Sequence, residues 1–535
     1  MKSVCEFLLP WRLVEVYNTE PEVECGECYG SRFENCEYCD GTGDEECRSC
    51  DNTGEEDCDY CDGSGVDEEG AKKNLYAEMP KNDFNYNKQK VEDEWQKVFE
   101  KAPTPSLFPT GQGLENYNTS LYHCYTVPNV WSDVDGRYRG MDNKIHTAEG
   151  YTRYTVFSLW DTFRAYHPLM CKLEPERTQD WMKTFLEMHK ERGELPVWEL
   201  AGNETYCMIG YHSVPVVAEA YQQGIRFKNR EDELKMLEAM IATSNGPQDE
   251  KKAYVKYGYV PGDEFSESVS KTLEFAYDDF CISRYAEMIG DKAVAQQYAI
   301  RSQNWKNVFD PETKFMRARV NGGFATPFDP YQVNFHYTEA NAWQYFWTPA
   351  QHDIYGLKNL LGGDENFTKK LNTFFTTEAQ NPNKFLGQEA MIGQYAHGNE
   401  PSHHIIYLYA FTDQQKLGQK YLHQVVEDFH NNTPDGMIGN DDCGQMSAWY
   451  LLSTLGFYPV NPANGAFIFG APQVKKATLL HANGHQLTIK AKDFSKENIF
   501  QNEVFLNGQK RTQNYIRYSE IMQGGTLQFQ MVQID

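Results

Sequence analysis

Apolar residues recur at spacings of three and four through most of the middle of the chain. The stripes run through 156–171, 178–191, 206–223, 231–244, 265–289 and 291–308, and again through 338–347, 350–361, 366–377, 402–412, 414–429 and 443–456. Each stripe lays a hydrophobic face along one side of a helix, so the pattern predicts about twelve helices. The intervening loops are rich in Gly, Pro, Asn and Asp. That many helices in one region predict a mainly α fold, an (α/α)6 toroid of paired helices around an axis, with loops at one end building a pocket. From about Phe457 the period drops to two, as in Ala466-Phe467-Ile468-Phe469, Leu487-Thr488-Ile489-Lys490-Ala491 and Leu527-Gln528-Phe529-Gln530-Met531. These segments predict strands of a small C-terminal β cap. Residues 71–91 carry no stripe, are rich in Asn and Lys, and read as a linker. The expected division is 1–70, 71–91, 92–460 and 461–535.

Charge separates the first of these segments from the rest. The formal charge of −27 excludes a nucleic-acid backbone or an anionic membrane surface as the main partner. It is unevenly spread: residues 1–70 carry −17 and the remaining 465 only −10. Aromatic residues make up 14% of the chain, too many for wholesale disorder. No apolar run approaches the roughly 20 residues of a membrane span. Met1–Val16 lacks the uninterrupted apolar run of an export signal, because Pro10, Arg12 and Glu15 break it. The compartment stays open.

Nine of the fourteen cysteines fall between Cys5 and Cys61. Eight form CxxC pairs every eleven residues: Cys25 with Cys28, Cys36 with Cys39, Cys47 with Cys50, and Cys58 with Cys61. Turn sequences such as Asp40-Gly41-Thr42-Gly43 follow them. A CxxC knuckle folds two thiolates onto one cation, and glycine lets backbone N–H groups approach the sulfurs. Eight thiolates suffice for two tetrahedral Zn²⁺ sites. Four disulfides are the alternative that the even count permits. The segment resembles the cysteine-rich zinc domain of DnaJ-type co-chaperones. Only Cys36–Gly43 and Cys58–Gly65 match the CxxCxGxG repeat in full, and no J-domain motif precedes them.

Five loops of the helical body crowd carboxylates beside aromatic, histidine and amide side chains. They are Trp160-Asp161-Thr162-Phe163-Arg164, Gly202-Asn203-Glu204-Thr205, Tyr337-Thr338-Glu339-Ala340-Asn341-Ala342-Trp343, His397-Gly398-Asn399-Glu400-Pro401-Ser402-His403-His404 and Gly439-Asn440-Asp441-Asp442-Cys443-Gly444-Gln445-Met446. Sugars are held in this way: aromatic faces meet C–H surfaces while carboxylates and amides take hydroxyls. Taken singly, each reads more readily as a helix cap or core residue. Together with Asp133-Val134-Asp135-Gly136-Arg137, Ser268-Val269-Ser270-Lys271-Thr272-Leu273-Glu274 and Gly456-Phe457-Tyr458-Pro459, these motifs make residues from about 92 to 535 resemble the catalytic part of family-92 glycoside hydrolases, the calcium-dependent exo-acting α-mannosidases.

The resemblance implies hydrolysis of terminal, non-reducing α-linked mannose, α-1,2-mannosidase-like, from mannans or N-glycans with inversion. It places Glu339 as general acid and Asp442 as general base, with Asp441 the second candidate for the base. Some relatives carry a third acidic residue where this chain has Asn440. Asn399 and Glu400 are implied ligands of Ca²⁺, and Trp160, Asp161, Arg164, Glu204, His397 and His403 are implied to bind the sugar or shape its pocket. Family members are usually exported and carry a β-sandwich ahead of the toroid, a place held here by residues 1–91. That substitution keeps an alternative open, a catalytically impaired mannoside-binding or zinc-dependent interaction protein.

Overall fold

A computed structural model of the chain describes residues 66–102, 104–106, 111–378, 391–481 and 483–533. The zinc ligands expected from the CxxC pairs, Cys25, Cys28, Cys36, Cys39, Cys47, Cys50, Cys58 and Cys61, all lie outside the described residues. The described residues fall into two compact units, one comprising residues 66–97 with Asp133–Tyr138, the other Val98–Ser132 with Arg139 onward.

The first unit corrects one expectation. The stretch read as a linker, 71–91, is largely helical, in Glu68–Glu78 and the start of Phe84–Lys101. The Asp67 side chain caps the former by accepting from Gly70 N at 2.7 Å, a contribution of about 1 kcal/mol. Lys, Glu, Gln and Ala are good helix formers without any apolar stripe, so periodicity had nothing to report there. The 133–137 motif closes on this helix. Asp133 accepts from Val66 N and Asn74 Nδ2, Asn74 Oδ1 accepts from Val134 N, and Arg137 pairs with Asp67 at 2.6 Å.

The second unit is mainly helical with sheets. Its central helix, Ser268–Ile289, buries 17 of its 22 residues, so it is enclosed on every side and carries little amphipathic signal. Ser213–Gln222, Arg230–Ser244 and Lys292–Arg301 pack around it. The predicted helices recur as Tyr166–Leu173, Pro175–Arg192, Ala350–Leu361, Asp364–Thr376, Gln415–Asp428 and Gln445–Leu455, while Ile405–Phe411 winds as a 3₁₀ helix. Asp249–Tyr257 is a further helix outside every predicted stripe.

The alternating segments form the expected strands. Thr104–Ser106, Lys476–Leu480, Gln486–Lys492, Gly525–Val532, Phe500–Leu506 and Gln509–Lys510 make a six-stranded sheet in that order. Gln486–Lys492 and Gly525–Val532 pair in parallel and the other neighbours are antiparallel. Along Gln486–Lys492 the residues Leu487, Ile489 and Ala491 are buried and alternate with exposed or half-buried neighbours, which is what a period of two requires. Among the described residues no helix is long and apolar enough to cross a membrane.

Candidate active site

Four loops bring their acidic residues to one region. Asp161 sits on the one-turn helix Leu159–Thr162, where Ser158 Oγ donates to its Oδ2. Glu400 opens the 3₁₀ turn Glu400–Ser402. Asp442 precedes helix Gln445–Leu455 in a backbone where Asp442, Cys443 and Gly444 all have positive φ (46°, 60° and 91°). For the two non-glycine residues that conformation costs on the order of 1–3 kcal/mol each.

Oxygens of Asp161, Glu400 and Asp442 lie within 4.8 Å of one another. Three carboxylates that close repel by roughly 3 kcal/mol per charged pair at an effective dielectric of about 20. Burial, and then the charge of Asp442, pushes Asp161 up to about 8. Glu400 is raised well above its ordinary value by burial and by Asp161 and Asp442, and Asp442 is raised by burial despite a hydrogen bond with Glu400. The cluster therefore holds either protons or a cation. Glu400 Oε1 is buried without a hydrogen-bond partner, and three hard oxygens on one point suit an ion of the Ca²⁺ type. Asn399, the other implied ligand, donates through Nδ2 to Gln344 Oε1 at 3.1 Å.

Glu339 faces a different environment. Its backbone N–H donates to Ser270 Oγ at 2.8 Å, and Asn341, two residues on, caps helix Ala342–Tyr345. Burial raises the Glu339 carboxyl to about 9, reinforced by a hydrogen bond to Glu267 and by the charges of Glu267 and Glu274. Its Oε2 is buried and unpartnered. The Asn399–Gln344 hydrogen bond ties the Glu400 loop to the segment that follows Glu339, and the thiol of Cys207 is raised first by burial and then by the charges of Asp161, Glu339 and Asp442.

Beneath them lies a buried network. Glu274 Oε1 accepts from Trp160 Nε1 and from Tyr345 OH, each at 3.1 Å. Its Oε2 is 2.7 Å from His212 Nε2, and His212 Nδ1 is 2.8 Å from Asp278 Oδ1. Glu274 and Asp278 are four apart on one helix and grip the ring from one face. Burial works against charge on His212, but the Asp278 carboxylate and then Glu274 raise it to about 9.

Several implied sugar contacts are placed elsewhere. Glu204 is consumed by its own loop: its carboxylate accepts from Val197 N, Trp198 N, Tyr206 N and Arg192 Nη1 at 2.8–3.1 Å. His397 is fully buried, with Tyr395 OH at 2.9 Å on Nδ1 and His430 Nε2 at 3.0 Å on Nε2. His403 is also fully buried, with both nitrogens bonded to protein. These three support loops, because no ring nitrogen or carboxylate oxygen is left to face a ligand. Asp441 is partly committed too: its Oδ1 accepts from Ser447 N and Oγ, leaving Asp442 the freer of the two acids. Arg164 donates through Nε to Trp160 O and lies against the Trp160 and Phe163 rings, while its Nη2 is buried and unpartnered. Glu267, His212 and Asp278 escaped the sequence reading, while Gln344 and Gln445 stand inside or next to its motifs without an assigned role; the roles of all five arise from packing.

The geometry has relatives. The model of the glycosyl hydrolase family 92 catalytic domain matches residues 70–533. A family GH92 α-mannosidase from Bacteroides thetaiotaomicron is 38% identical, with a TM-score of 0.81 over 87% of this chain and 61% of that one. The same enzyme is known in complex with mannoimidazole. A family GH92 inverting mannosidase from that organism is 32% identical, with a TM-score of 0.79 over 88% of this chain and 65% of its own. A protein of Arthroderma benhamiae described as an uncharacterized secreted glycosidase is 24% identical, over 86% of this chain and 59% of its length. The chain thus spans about three fifths of the length of these relatives.

Proposed function

We propose that this chain, which belongs to glycosyl hydrolase family 92, hydrolyses terminal non-reducing α-mannosides with inversion of the anomeric centre. The observation that carries the reading is the contrast between two acidic environments. Glu339 is held protonated up to about 9, whereas Asp442, itself raised by burial, stands in a carboxylate cluster where a bound cation would keep it ionised. An inverting glycosidase needs that contrast. Glu339 gives its proton to the glycosidic oxygen as the C–O bond breaks. Asp442 takes a proton from the water that attacks the anomeric carbon from the opposite face, leaving β-mannose and the freed alcohol. Trp160 is fixed by its hydrogen bond to Glu274, and Arg164 Nη2 is a buried, unpartnered donor for a sugar hydroxyl.

Asp161, Glu400 and Asp442, with Asn399, are the residues that would hold Ca²⁺, and bound there it would supply positive charge and a coordination site for mannose hydroxyls. For residues 1–65 the reading stays with Zn²⁺ on the eight CxxC thiolates. The substrate class, mannose-containing oligosaccharides, is supported by the mannosidase relatives, and the α-1,2 linkage rests on the motif resemblance alone.

The test is to incubate the purified full chain with an α-1,2-mannobiose and millimolar calcium and to follow product anomers by NMR. Initial release of β-mannose is the expected result. Initial α-mannose would overturn inversion, and calorimetric binding without turnover would make the chain a mannoside-binding protein.

A further inference from the structure

Gln445 is fully buried at the first position of helix Gln445–Leu455, and its side chain ends in a three-way junction. Its Oε1 accepts from Ala165 N at 2.9 Å and Tyr166 N at 3.2 Å, the otherwise uncapped start of helix Tyr166–Leu173. Its Nε2 lies 3.0 Å from His403 Nδ1. The partners dictate every orientation. His397 O can only accept, so His403 Nε2, 3.0 Å away, carries the ring proton and Nδ1 offers a lone pair. The Gln445 amide must then donate to Nδ1, and its oxygen is left for the two backbone N–H groups, which can only donate. Trp449 Nε1 pins the same turn from its other side by donating to His403 O at 3.0 Å.

Each arm of this junction ends three or four residues from a carboxylate of the cluster. Ala165 follows Asp161, His403 follows Glu400, and Gln445 itself follows Asp442. Those three acids repel one another where they are charged, so the segments that carry them need a framework that does not depend on the carboxylates themselves. We propose that Gln445 is a positioning residue that holds the Asp161, Glu400 and Asp442 segments in mutual register against that repulsion, by hydrogen bonds that are neutral and therefore indifferent to whether protons or a cation occupy the cluster. The inference builds on the cation and hydrolysis readings above, and goes beyond them by assigning the framework to one amide that touches neither substrate nor ion.

Gln445→Met keeps the length and volume and removes both functions of the amide. Gln445→Glu keeps the acceptor for Ala165 and Tyr166 and restores a bond to His403 by sharing one proton. The full chain and both variants are compared by calcium chloride titration calorimetry after chelator treatment, by kcat and KM on α-1,2-mannobiose, and by peptide hydrogen exchange over 159–166 and 397–404. The methionine variant is expected to bind calcium at least tenfold more weakly and to lose at least tenfold in kcat with a smaller change in KM. It should also exchange faster in both peptides, with the glutamate variant within threefold of the parent throughout. A methionine variant within threefold of the parent, or a glutamate variant no better than methionine, overturns the proposal. A parent that binds no calcium refutes the cation reading and leaves kcat and exchange to decide. A parent without turnover refutes the hydrolysis reading and leaves calcium affinity and exchange. Should the methionine variant not fold, Gln445→Asn, one methylene too short to span both partners, takes its place.

Discussion

The carboxyl of Glu339 is hydrogen-bonded to the carboxyl of Glu267, a residue held at a left-handed φ of 54° at the entrance to the central helix. Two acids in contact cannot both ionise, so one proton stays between them. Lys271, 3.4 Å from Glu267, partly offsets the rise at Glu339.

Burial and this pairing together set an alkaline limit. A general acid works only while protonated, so kcat/KM for a mannoside should hold through neutral pH and fall as pH rises past about 9, where Glu339 loses its proton. Glu267→Gln removes the neighbouring negative charge, lowers the Glu339 pKa and should move that limb to lower pH. A limb that stays in place or rises would show that Glu267 does not act on the acid.

The roles of the two acids separate kinetically. Glu339→Gln should cost roughly 10²–10⁴-fold in kcat on a mannobiose, and much less on an aryl mannoside whose leaving group departs without protonation. Asp442→Asn should slow both substrates alike, because the attacking water must be deprotonated in either case. Equal losses on both substrates for Glu339→Gln would remove it from the acid role.

Cation removal offers a third check. Mannoside hydrolysis should fall with chelator and return with calcium. Calcium at about a hundred times its Kd should also stabilise the chain by about 2.7 kcal/mol, visible as a raised melting temperature. Glu400→Gln should require a higher calcium concentration for both effects. Calcium-independent melting together with chelator-resistant turnover would argue that the cluster works with protons alone.

The buried His212 links pH to stability. Its folded pKa of about 9 exceeds the unfolded value of about 6.5, so its contribution is complete below about 6.5 and fades as pH rises through about 9. His212→Gln strands Glu274 and Asp278 without their cation and should cost about 3–5 kcal/mol at pH 6, with the deficit shrinking toward pH 10. Urea unfolding at several pH values measures it, and a pH-independent deficit would assign His212 a packing role only.

For the cysteine-rich segment, the thiolate spacing leads to an expected content of about two zinc ions per chain by native mass spectrometry. They should be released when the CxxC thiols are alkylated under chelation. A zinc-free protein whose mass shows four disulfides, joining Cys25, Cys28, Cys36, Cys39, Cys47, Cys50, Cys58 and Cys61, would decide for the oxidised alternative.

Much of this protein is legible along the chain. Periods of three to four and of two located the helices and the strands of the C-terminal sheet, because burial on one face is a local, repeating demand. The same logic failed over 71–91, where helix propensity acts without a stripe, and at Asp249–Tyr257, which lay between predicted helices. At the site, the sequence by itself supplied the acids Asp161, Glu339, Glu400 and Asp442 and their family. It could not tell Glu204, His397 and His403, whose polar atoms are consumed by backbone and neighbouring side chains, from residues left free to bind. Tertiary packing alone decided which carboxylates meet, which acid keeps its proton, and that Gln445 ties three distant segments together. The physical reason is that a pKa or an unpaired oxygen is a sum over every neighbour in space, and in this fold those neighbours come from loops hundreds of residues apart.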